Sequence, residues 1–383
     1  MERKDTMPNL PQTTLNKLAN VQGQALADLM AQACTIRDIH WGRRITYSRK
    51  VFIPLTNMCR DTCGYCTFVQ HPDSPKAQLM TPEEVMRSLR AAQRLGCKEA
   101  LFSLGEKPER RYPQAAAMLA KLGYQSTTDY LRDICALTLS ETALIPHINA
   151  GTLDDKDIRL LKPVSGSMGM MLESLSLRLM QKGGPHYQCP DKAPKLRMAT
   201  LHAAGKQQVP FTTGLLIGIG ETWEERIEAL QAINEVHQQY GHIQEVIIQN
   251  FRAKPGTAMA NAPEPDLTDM LRTLAVARLI LDPTISLQAP PNLASEHLRY
   301  LEAGINDFGG ISPVSSDYIN PERAWPALEQ LQQEVASAGY QLQERLTVYP
   351  QHIESQRGKI SPAVQAHLTS HAREDGLACV QLF

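Results

Sequence analysis

Short apolar runs alternate with longer amphipathic stretches along most of the chain. After a largely helical stretch that ends near residue 44, eight runs have the length and apolarity of strands: 51–55, 100–104, 144–148, 169–172, 213–217, 245–250, 285–288 and 306–308. The stretches between them show helix boundaries, such as a capping box that begins at Thr81 and a glycine, Gly241, that follows a helical pattern. This alternation predicts parallel βα units.

Eight such units most economically predict an α/β fold, a (β/α)8 barrel of the TIM type. A six-strand partial barrel is the alternative, because the last two runs are short. Around a barrel at 45–339 we predict an N-terminal helical extension at 1–44 and a C-terminal tail at 340–383 that packs on the barrel. Active sites of such barrels lie at the C-terminal ends of the strands, so the polar and glycine residues that follow each run are the candidate site residues.

The composition narrows the class of protein. The chain has 383 residues, 43% of them hydrophobic, which is enough for a large core, and its net charge of −1 argues against a nucleic-acid partner. The first residues contain no apolar region typical of a signal peptide, and no stretch reaches the ~18 consecutive apolar residues of a membrane span. These features predict a cytoplasmic protein with no membrane association.

Three of the eight cysteines, Cys59, Cys63 and Cys66, lie in one short segment, CRDTCGYCTF, directly after the first predicted strand. Clustered cysteines in a reducing compartment are typical of metal ligands. One interpretation is a structural zinc site that also uses His71, although closed zinc sites normally come as two separated ligand pairs. The other is a [4Fe–4S] cluster, in which three cysteines leave one iron open to another ligand.

The cysteine spacing, with an aromatic residue directly before the last cysteine, resembles the signature of the radical S-adenosylmethionine (SAM) superfamily. The resemblance implies that the three cysteines bind a [4Fe–4S] cluster and that SAM chelates its open iron. An electron from the cluster would then cleave SAM to methionine and a 5′-deoxyadenosyl radical, so that the cofactor supplies the difficult chemistry.

The same resemblance implies SAM contacts on later strands. The segment SLGE after the second predicted strand is similar to the superfamily's glycine-rich motif for the SAM amino group. After the fourth predicted strand, Glu173 and Arg178 stand where related enzymes bind the ribose hydroxyls and the carboxylate of SAM. The segment GLLIGIGE is similar to the superfamily's motif that packs against adenine. The implied cofactor-binding residues are Tyr65, Gly105, Glu106, Glu173, Arg178, Gly218 and Gly220.

Further segments narrow the resemblance to the CofG-type subunits of deazaflavin (FO) synthase. They are NMCRDTCGYCTF, EALFSLGEKPE, SMGMMLES, QNFRAKPGTAM, QAPPNL and GINDFGGISPVSSDYINPERAWP, and the resemblance as a whole extends over roughly 46–349. The GINDFGGISP part is the most specific, because radical SAM enzymes in general lack it.

This narrower resemblance implies an activity and partners. The activity is formation of 7,8-didemethyl-8-hydroxy-5-deazariboflavin (FO) in coenzyme factor-420 biosynthesis. The implied substrate is 5-amino-5-(4-hydroxybenzyl)-6-(D-ribitylimino)-5,6-dihydrouracil, from which a hydrogen is abstracted before ring closure and loss of ammonia. The implied partners are a separate CofH-type subunit that supplies this substrate and a reductant such as flavodoxin or ferredoxin.

A uracil-like substrate with a polyol tail needs several hydrogen-bonding groups. The predicted strand ends and the loops after them offer His147, Asn149, Gln249, Asn250, Gln288 and Asn292. Asp307 is the candidate proton acceptor, and its alternative role is to cap the turn that follows it. A histidine such as His147 is also often a packed core residue.

Two other functions stay open at this point. One is a related radical SAM enzyme, either the tyrosine-cleaving CofH-type subunit or a menaquinone-pathway enzyme, and the GGISP segment counts against it. The other is a non-enzymatic zinc-binding α/β protein. The colour of the anaerobically purified protein distinguishes the second, because an iron–sulfur protein is brown and a zinc protein is colourless.

Overall fold

The computed structural model describes residues 11–355 and 358–379. Eight parallel strands follow one another around a barrel, which closes because β8 and β2 both pair with β1. The predicted (β/α)8 barrel is confirmed, and the six-strand alternative is wrong. The strands are β1 (Arg44–Ile53), β2 (Glu99–Ser103), β3 (Ile145–Asn149), β4 (Ser167–Gly169), β5 (Phe211–Ile217), β6 (Ile243–Asn250), β7 (Ser286–Gln288) and β8 (Asp307–Ile311).

Helices follow most of the strands and bury apolar faces against them. The helix α3 begins at the predicted capping box, where the Thr81 hydroxyl accepts from the Glu84 backbone and the Glu84 carboxylate accepts from the Thr81 backbone. No helix in the described part of the chain is both long enough and apolar enough to cross a membrane. The helices are α1 (Gln12–Lys17), α2 (Gly23–Trp41), α3 (Pro82–Arg94), α4 (Pro113–Lys121), α5 (Thr127–Glu141), α6 (Asp155–Leu161), α7 (Pro194–Lys206), α8 (Trp223–Tyr240), α9 (Leu267–Ile280), α10 (Leu328–Ser337), α11 (Pro350–Ser355) and α12 (Pro362–His371).

The first strand is longer than the apolar pattern predicts. It begins at Arg44, and its first half pairs in parallel with a ninth strand, β9 (Gln341–Arg345), which lies within the predicted C-terminal tail. Thr46 and Ser48 of β1 are buried although they are polar. Polar side chains on this strand therefore belong to the interior of the barrel.

The end of β9 and the segment after it reach into the barrel beside the starts of the strands. The Arg345 guanidinium donates to Asp307 at 2.7 Å and to Glu245 at 2.9 Å, and the Tyr349 hydroxyl donates to Glu245 at 3.0 Å. All four side chains are buried. These residues form the floor of the barrel, whereas the predicted domain boundaries stay predictions.

Candidate active site

The three clustered cysteines lie on one loop at the carboxyl end of β1. All three line a cavity at the C-terminal ends of the strands, here called the outer cavity, together with Tyr65, Glu106 and Glu173. The Cys59 sulfur accepts backbone hydrogen bonds from Asp61 at 3.3 Å and from Glu106 at 3.2 Å. Burial raises the pKa of the Cys59 and Cys66 thiols, and a bound metal ion would favour their thiolate forms.

Gly105 brings the loop after β2 against the cysteine loop. A Cβ at this position would lie 1.9 Å from the Met58 carbonyl oxygen, which is closer than any side chain can approach. The Gly105 amide donates to the Thr56 carbonyl at 2.9 Å, and the Glu106 carbonyl accepts from the Arg60 amide at 2.8 Å. Only glycine permits this contact, which places Glu106 in the outer cavity.

The Glu106 side chain is buried against the loop that follows β3. Its carboxylate accepts from the Thr152 backbone at 2.8 Å and from the Thr152 hydroxyl at 2.6 Å. Burial raises the pKa of Glu106 to about 7, because desolvation disfavours the charged form. Gly151 leaves the necessary space, since a Cβ there would lie 1.8 Å from the Glu106 carboxylate.

Glu173 is the centre of a buried charged group in the outer cavity. Its carboxylate accepts from the Tyr65 hydroxyl and from the Lys192 ammonium, both at 2.5 Å, and lies 3.1 Å from the His186 ring nitrogen and 3.8 Å from the Arg197 guanidinium. Burial alone would raise the pKa of Glu173, but Lys192, His186 and Arg197 hold it well below its usual range. Glu173 is therefore a carboxylate at neutral pH.

The backbone of Glu173 is unusual for a residue with a side chain. Its φ is +65°, in the left-handed region that side chains other than those of Asn and Asp rarely adopt. The residue lies four positions after the end of β4, and its backbone amide donates to the Gly214 carbonyl at 2.8 Å. Non-glycine residues with a left-handed backbone conformation cluster at functional sites, where the surrounding structure holds them in place.

The predicted base and the predicted adenine motif lie elsewhere. The Arg178 side chain is 50% exposed and donates to Glu225 and to the Gly220 carbonyl, both at 2.8 Å. Gly218 lies in a turn, and its backbone amide donates to the Glu221 carboxylate at 2.8 Å. Neither Arg178 nor the two glycines line the outer cavity. Their roles in SAM binding stay predictions.

Two of the cations that line the outer cavity contact Glu173, although the sequence analysis did not select them. They are Lys192, in a short turn before α7, and Arg197, within α7; both contact the Glu173 carboxylate. No spacing or motif distinguishes them in the sequence from the many lysines and arginines of a surface helix. Only the fold shows that this segment lies across the mouth of the barrel.

A second cavity, here called the inner cavity, lies deeper in the barrel and is lined by Lys50, Glu99, His147, Glu245, Gln288 and Trp325 among others. The two cavities adjoin, because the same residues line both: Ser103, Asn149, Met171, Gln249, Ile319 and Asn320. A small molecule in the inner cavity can thus reach the space in front of the cysteines.

Most of the predicted substrate-binding residues face these cavities. His147, Asn149, Gln249 and Gln288 line the inner cavity, and Asn250 lines the outer one. The His147 ring contacts the Ser167 hydroxyl at 2.7 Å, and burial lowers its pKa to about 4, so the ring is neutral.

Asn292 and Asp307 differ from the other candidates. The Asn292 amide donates to Asp317 at 3.0 Å, and Asp307 is held by Arg345 in the barrel floor; neither lines the inner or the outer cavity. The structure thus gives Asp307 a structural partner. Its role as a proton acceptor stays a prediction.

The arrangement does not support the zinc interpretation. The His71 side chain is 61% exposed and lies 3.3 Å from the Asp73 carboxylate rather than in the outer cavity. Within residues 11–355 and 358–379, no three histidine, cysteine or acidic side chains are arranged to hold a single metal ion. Thiols that line one cavity without converging on a single metal position are better suited to a cluster, whose irons are separate atoms with one cysteine ligand each.

Comparison with known proteins agrees with this geometry. The model of the radical SAM superfamily matches residues 53–233. The chain is 48% identical over 310 residues to a 7,8-didemethyl-8-hydroxy-5-deazariboflavin synthase of Methanopyrus kandleri, covering 81% of this chain and 92% of that one.

Longer relatives contain a matching region. An FO synthase of Mycobacterium leprae is 48% identical over 368 residues, which cover 92% of this chain but 43% of the relative. The chain thus spans less than half the length of these FO synthases.

Solved structures share the fold at low sequence identity. A methylornithine synthase (PylB) superposes with a TM-score of 0.70 at 17% identity, covering 87% of this chain and 94% of that one. The hydrogenase maturase HydG from Carboxydothermus hydrogenoformans superposes with a TM-score of 0.71 at 17% identity, covering 94% and 85%. These two comparisons support the barrel fold.

Proposed function

The chain belongs to the 7,8-didemethyl-8-hydroxy-5-deazariboflavin synthase family of the radical SAM superfamily, and we propose that it forms this deazaflavin, FO, from the hydroxybenzyl–ribityluracil adduct. The observation that carries the proposal is the 48% identity that extends over 92% of the Methanopyrus kandleri relative. The geometry supports it, because a polar inner cavity opens onto the cavity that contains the three cysteines.

Radical SAM proteins generally use a [4Fe–4S] cluster and SAM. We propose that Cys59, Cys63 and Cys66 each bind one iron, since their side chains share one cavity and hydrogen bonds already point at the Cys59 sulfur. When bound, the cluster and SAM supply the radical that removes a hydrogen atom from the substrate. The protein supplies the ligands, the orientation and the exclusion of water.

The charged group around Glu173 is the proposed SAM-binding region. Glu173 is positioned to accept hydrogen bonds from the ribose hydroxyls of SAM. Lys192 and Arg197 offer positive charge for the carboxylate of SAM. Glu106 and the backbone around Gly105 lie beside Cys59, where the amino group of SAM would be held. This assignment moves the predicted cationic contact from Arg178 to residues that line the cavity.

Replacing Glu173 by glutamine is expected to weaken SAM binding about ten-fold or more, because a charge-assisted hydrogen bond contributes about 1.5–3 kcal/mol. The dissociation constant of SAM, measured by equilibrium dialysis on the cluster-loaded protein, tests this. Iron content should not change. Glu302→Gln, which alters an exposed ion pair with Arg299, is the control.

The same measurement decides between the two candidate bases. Lys192→Met is expected to weaken SAM binding more than Arg178→Met, since the Lys192 side chain lies in the outer cavity and Arg178 is half exposed. Equal affinity for SAM in the Glu173→Gln and unaltered proteins would remove the charged group from the binding site. A larger effect of Arg178→Met would return the role to that residue.

We propose that the substrate comes from a CofH-type subunit and the electron from a protein such as flavodoxin or ferredoxin. The length of the FO synthases supports a second catalytic part, since the chain covers only 43% of the Mycobacterium leprae protein. A partner that joins the hydroxybenzyl part of tyrosine to ribityl-diaminouracil would supply the adduct.

An anaerobic assay tests the proposed function and its main rival. The reduced protein with SAM, tyrosine and ribityl-diaminouracil is expected to make no FO, whereas adding the CofH-type subunit or its isolated product should yield the fluorescent deazaflavin, deoxyadenosine, methionine and ammonia. Fragmentation of tyrosine by this protein alone would identify it as the CofH-type enzyme instead.

A further inference from the structure

Lys50 projects from β1 into the inner cavity, where no acidic side chain of the described residues pairs with its ammonium. Within the described residues its ammonium forms no hydrogen bond or ion pair, and it lies over the Trp325 ring at 5.5 Å from the ring centroid. Burial lowers the pKa of Lys50 because desolvation disfavours the charged form. A lysine in such a cavity gains most from a ligand that accepts its hydrogen bonds.

The carboxylates near Lys50 are bonded to other groups. Glu245 accepts from Arg345 at 2.9 Å, Asp317 accepts from the Asn292 amide at 3.0 Å, and Glu99 accepts from the Ser48 hydroxyl. They favour the charged form of Lys50 through space without pairing with it. The ammonium hydrogens therefore stay available to a molecule in the cavity.

Two adjacent glycines in β8 make room for this lysine and for a neighbouring amide. A Cβ at Gly310 would lie 2.2 Å from Cδ and Cε of Lys50 and 2.4 Å from its Nζ. A Cβ at Gly309, whose φ is +73°, would lie 2.0 Å from the amide nitrogen of Gln288. Both long side chains thus cross β8 in space that only glycine leaves open. The glycine pair is part of the GINDFGGISP segment.

Gln288 completes the arrangement. Its side chain lines the inner cavity and makes no hydrogen bond within the described part of the chain. An ammonium offers only donors, whereas an amide offers donors and an acceptor. Side by side, the two groups match a ring edge on which carbonyl oxygens alternate with an N–H. A phenol, with one hydroxyl group, would satisfy fewer of these donors and acceptors than the ring edge does.

We propose that Lys50 and Gln288 bind the pyrimidinedione ring of the substrate, with the Lys50 ammonium donating to a ring carbonyl oxygen. This subsite rests on the proposed function. It places the heterocycle in the inner cavity and leaves the carbon that loses hydrogen at the junction with the outer cavity, beside Ser103 and Asn149. The glycine pair is then a determinant of substrate specificity.

Binding of the two halves of the substrate tests this subsite without turnover. The probes are 5-amino-6-(D-ribitylamino)uracil and p-cresol, titrated calorimetrically into the cluster-loaded protein with SAM. Lys50→Met is expected to weaken binding of the uracil about ten- to one-hundred-fold, as for loss of a charge-assisted hydrogen bond, and to leave p-cresol unaffected. Lys206→Met, an exposed change at the end of α7, should alter neither.

Gly310→Ala provides a second variant that keeps the lysine. The new methyl group meets the flexible end of Lys50, so the side chain is displaced and uracil binding should fall as in Lys50→Met. In the Lys50→Ala protein, Gly310→Ala should not weaken binding of the uracil further, because the Lys50 atoms that the new methyl group would contact are absent.

The outcomes separate this inference from the proposed function. It is overturned if the unaltered protein does not bind the uracil, if Lys50→Met binds it normally, if p-cresol alone is lost, or if Gly310→Ala and Lys50→Ala act additively. A protein that makes FO while Lys50→Met binds uracil normally would refute the subsite alone. Absence of FO synthesis by the unaltered protein would refute the function.

Discussion

Replacing Cys63 by alanine is expected to remove the [4Fe–4S] cluster and to abolish FO formation. Each of the three cysteines in the outer cavity is proposed to bind one iron, so that the substitution leaves one iron without its protein ligand. Without the cluster no electron reaches SAM, and the loss of activity is complete rather than partial. Iron and sulfide content, visible absorption and FO yield measure the effect after anaerobic reconstitution.

Cys135→Ala is the matched control for this substitution. Cys135 is fully buried in the apolar core, so the change removes a thiol without touching the outer cavity. This variant should keep the cluster and its activity apart from a modest loss of stability. A Cys63→Ala protein that retained the full cluster spectrum and turnover would refute the assignment of the cysteines.

Replacing Arg345 by methionine is expected to lower the free energy of unfolding by about 3–5 kcal/mol, the typical cost of leaving a buried ion-pair partner uncompensated. Arg345 bridges Asp307 and Glu245, which are buried in the barrel floor. Methionine fills similar space but leaves both carboxylates without a cation. Chemical denaturation of the cluster-free protein measures the loss.

The pH dependence identifies the cause of this destabilisation. Burial raises the pKa of Glu245, although the nearby Arg345 opposes this shift. As the pH falls, Glu245 is therefore protonated, and the neutral carboxyl group does not need a cation beside it. The difference between variant and parent should therefore shrink as the pH falls. Arg373→Met, which breaks an exposed pair with Asp375, should cost at most about 1 kcal/mol. If the Arg345→Met protein were as stable as the Arg373→Met control, the proposed stabilising role of the ion pairs in the barrel floor would be contradicted.

The sequence predicted the barrel because its strands are mostly continuous apolar runs between helices with recognisable ends. It missed the first half of β1, where Thr46, Ser48 and Lys50 interrupt the apolar pattern although they face the barrel interior. It also placed β9 in a tail. Pairing between residues about three hundred positions apart leaves no periodic signal in either segment.

The candidate site was predictable where chemistry depends on local spacing. The three cysteines, Gly105 and Glu106 belong to short motifs, and the structure brings them together. Lys192 and Arg197 could not be selected, because their role depends on a segment folding over the barrel mouth. Which charged side chains meet is decided by tertiary packing, so the spacing of residues within one segment does not predict these contacts.

The most direct test of the central claim is isotope transfer from the substrate. The reduced protein, SAM and a hydroxybenzyl–ribityluracil adduct deuterated at its benzylic carbon are combined under anaerobic conditions, and deoxyadenosine and FO are analysed by mass spectrometry. If this protein forms FO, deuterated deoxyadenosine is expected to form together with FO. Unlabelled deoxyadenosine with no FO, while the same protein cleaves tyrosine, would contradict this claim.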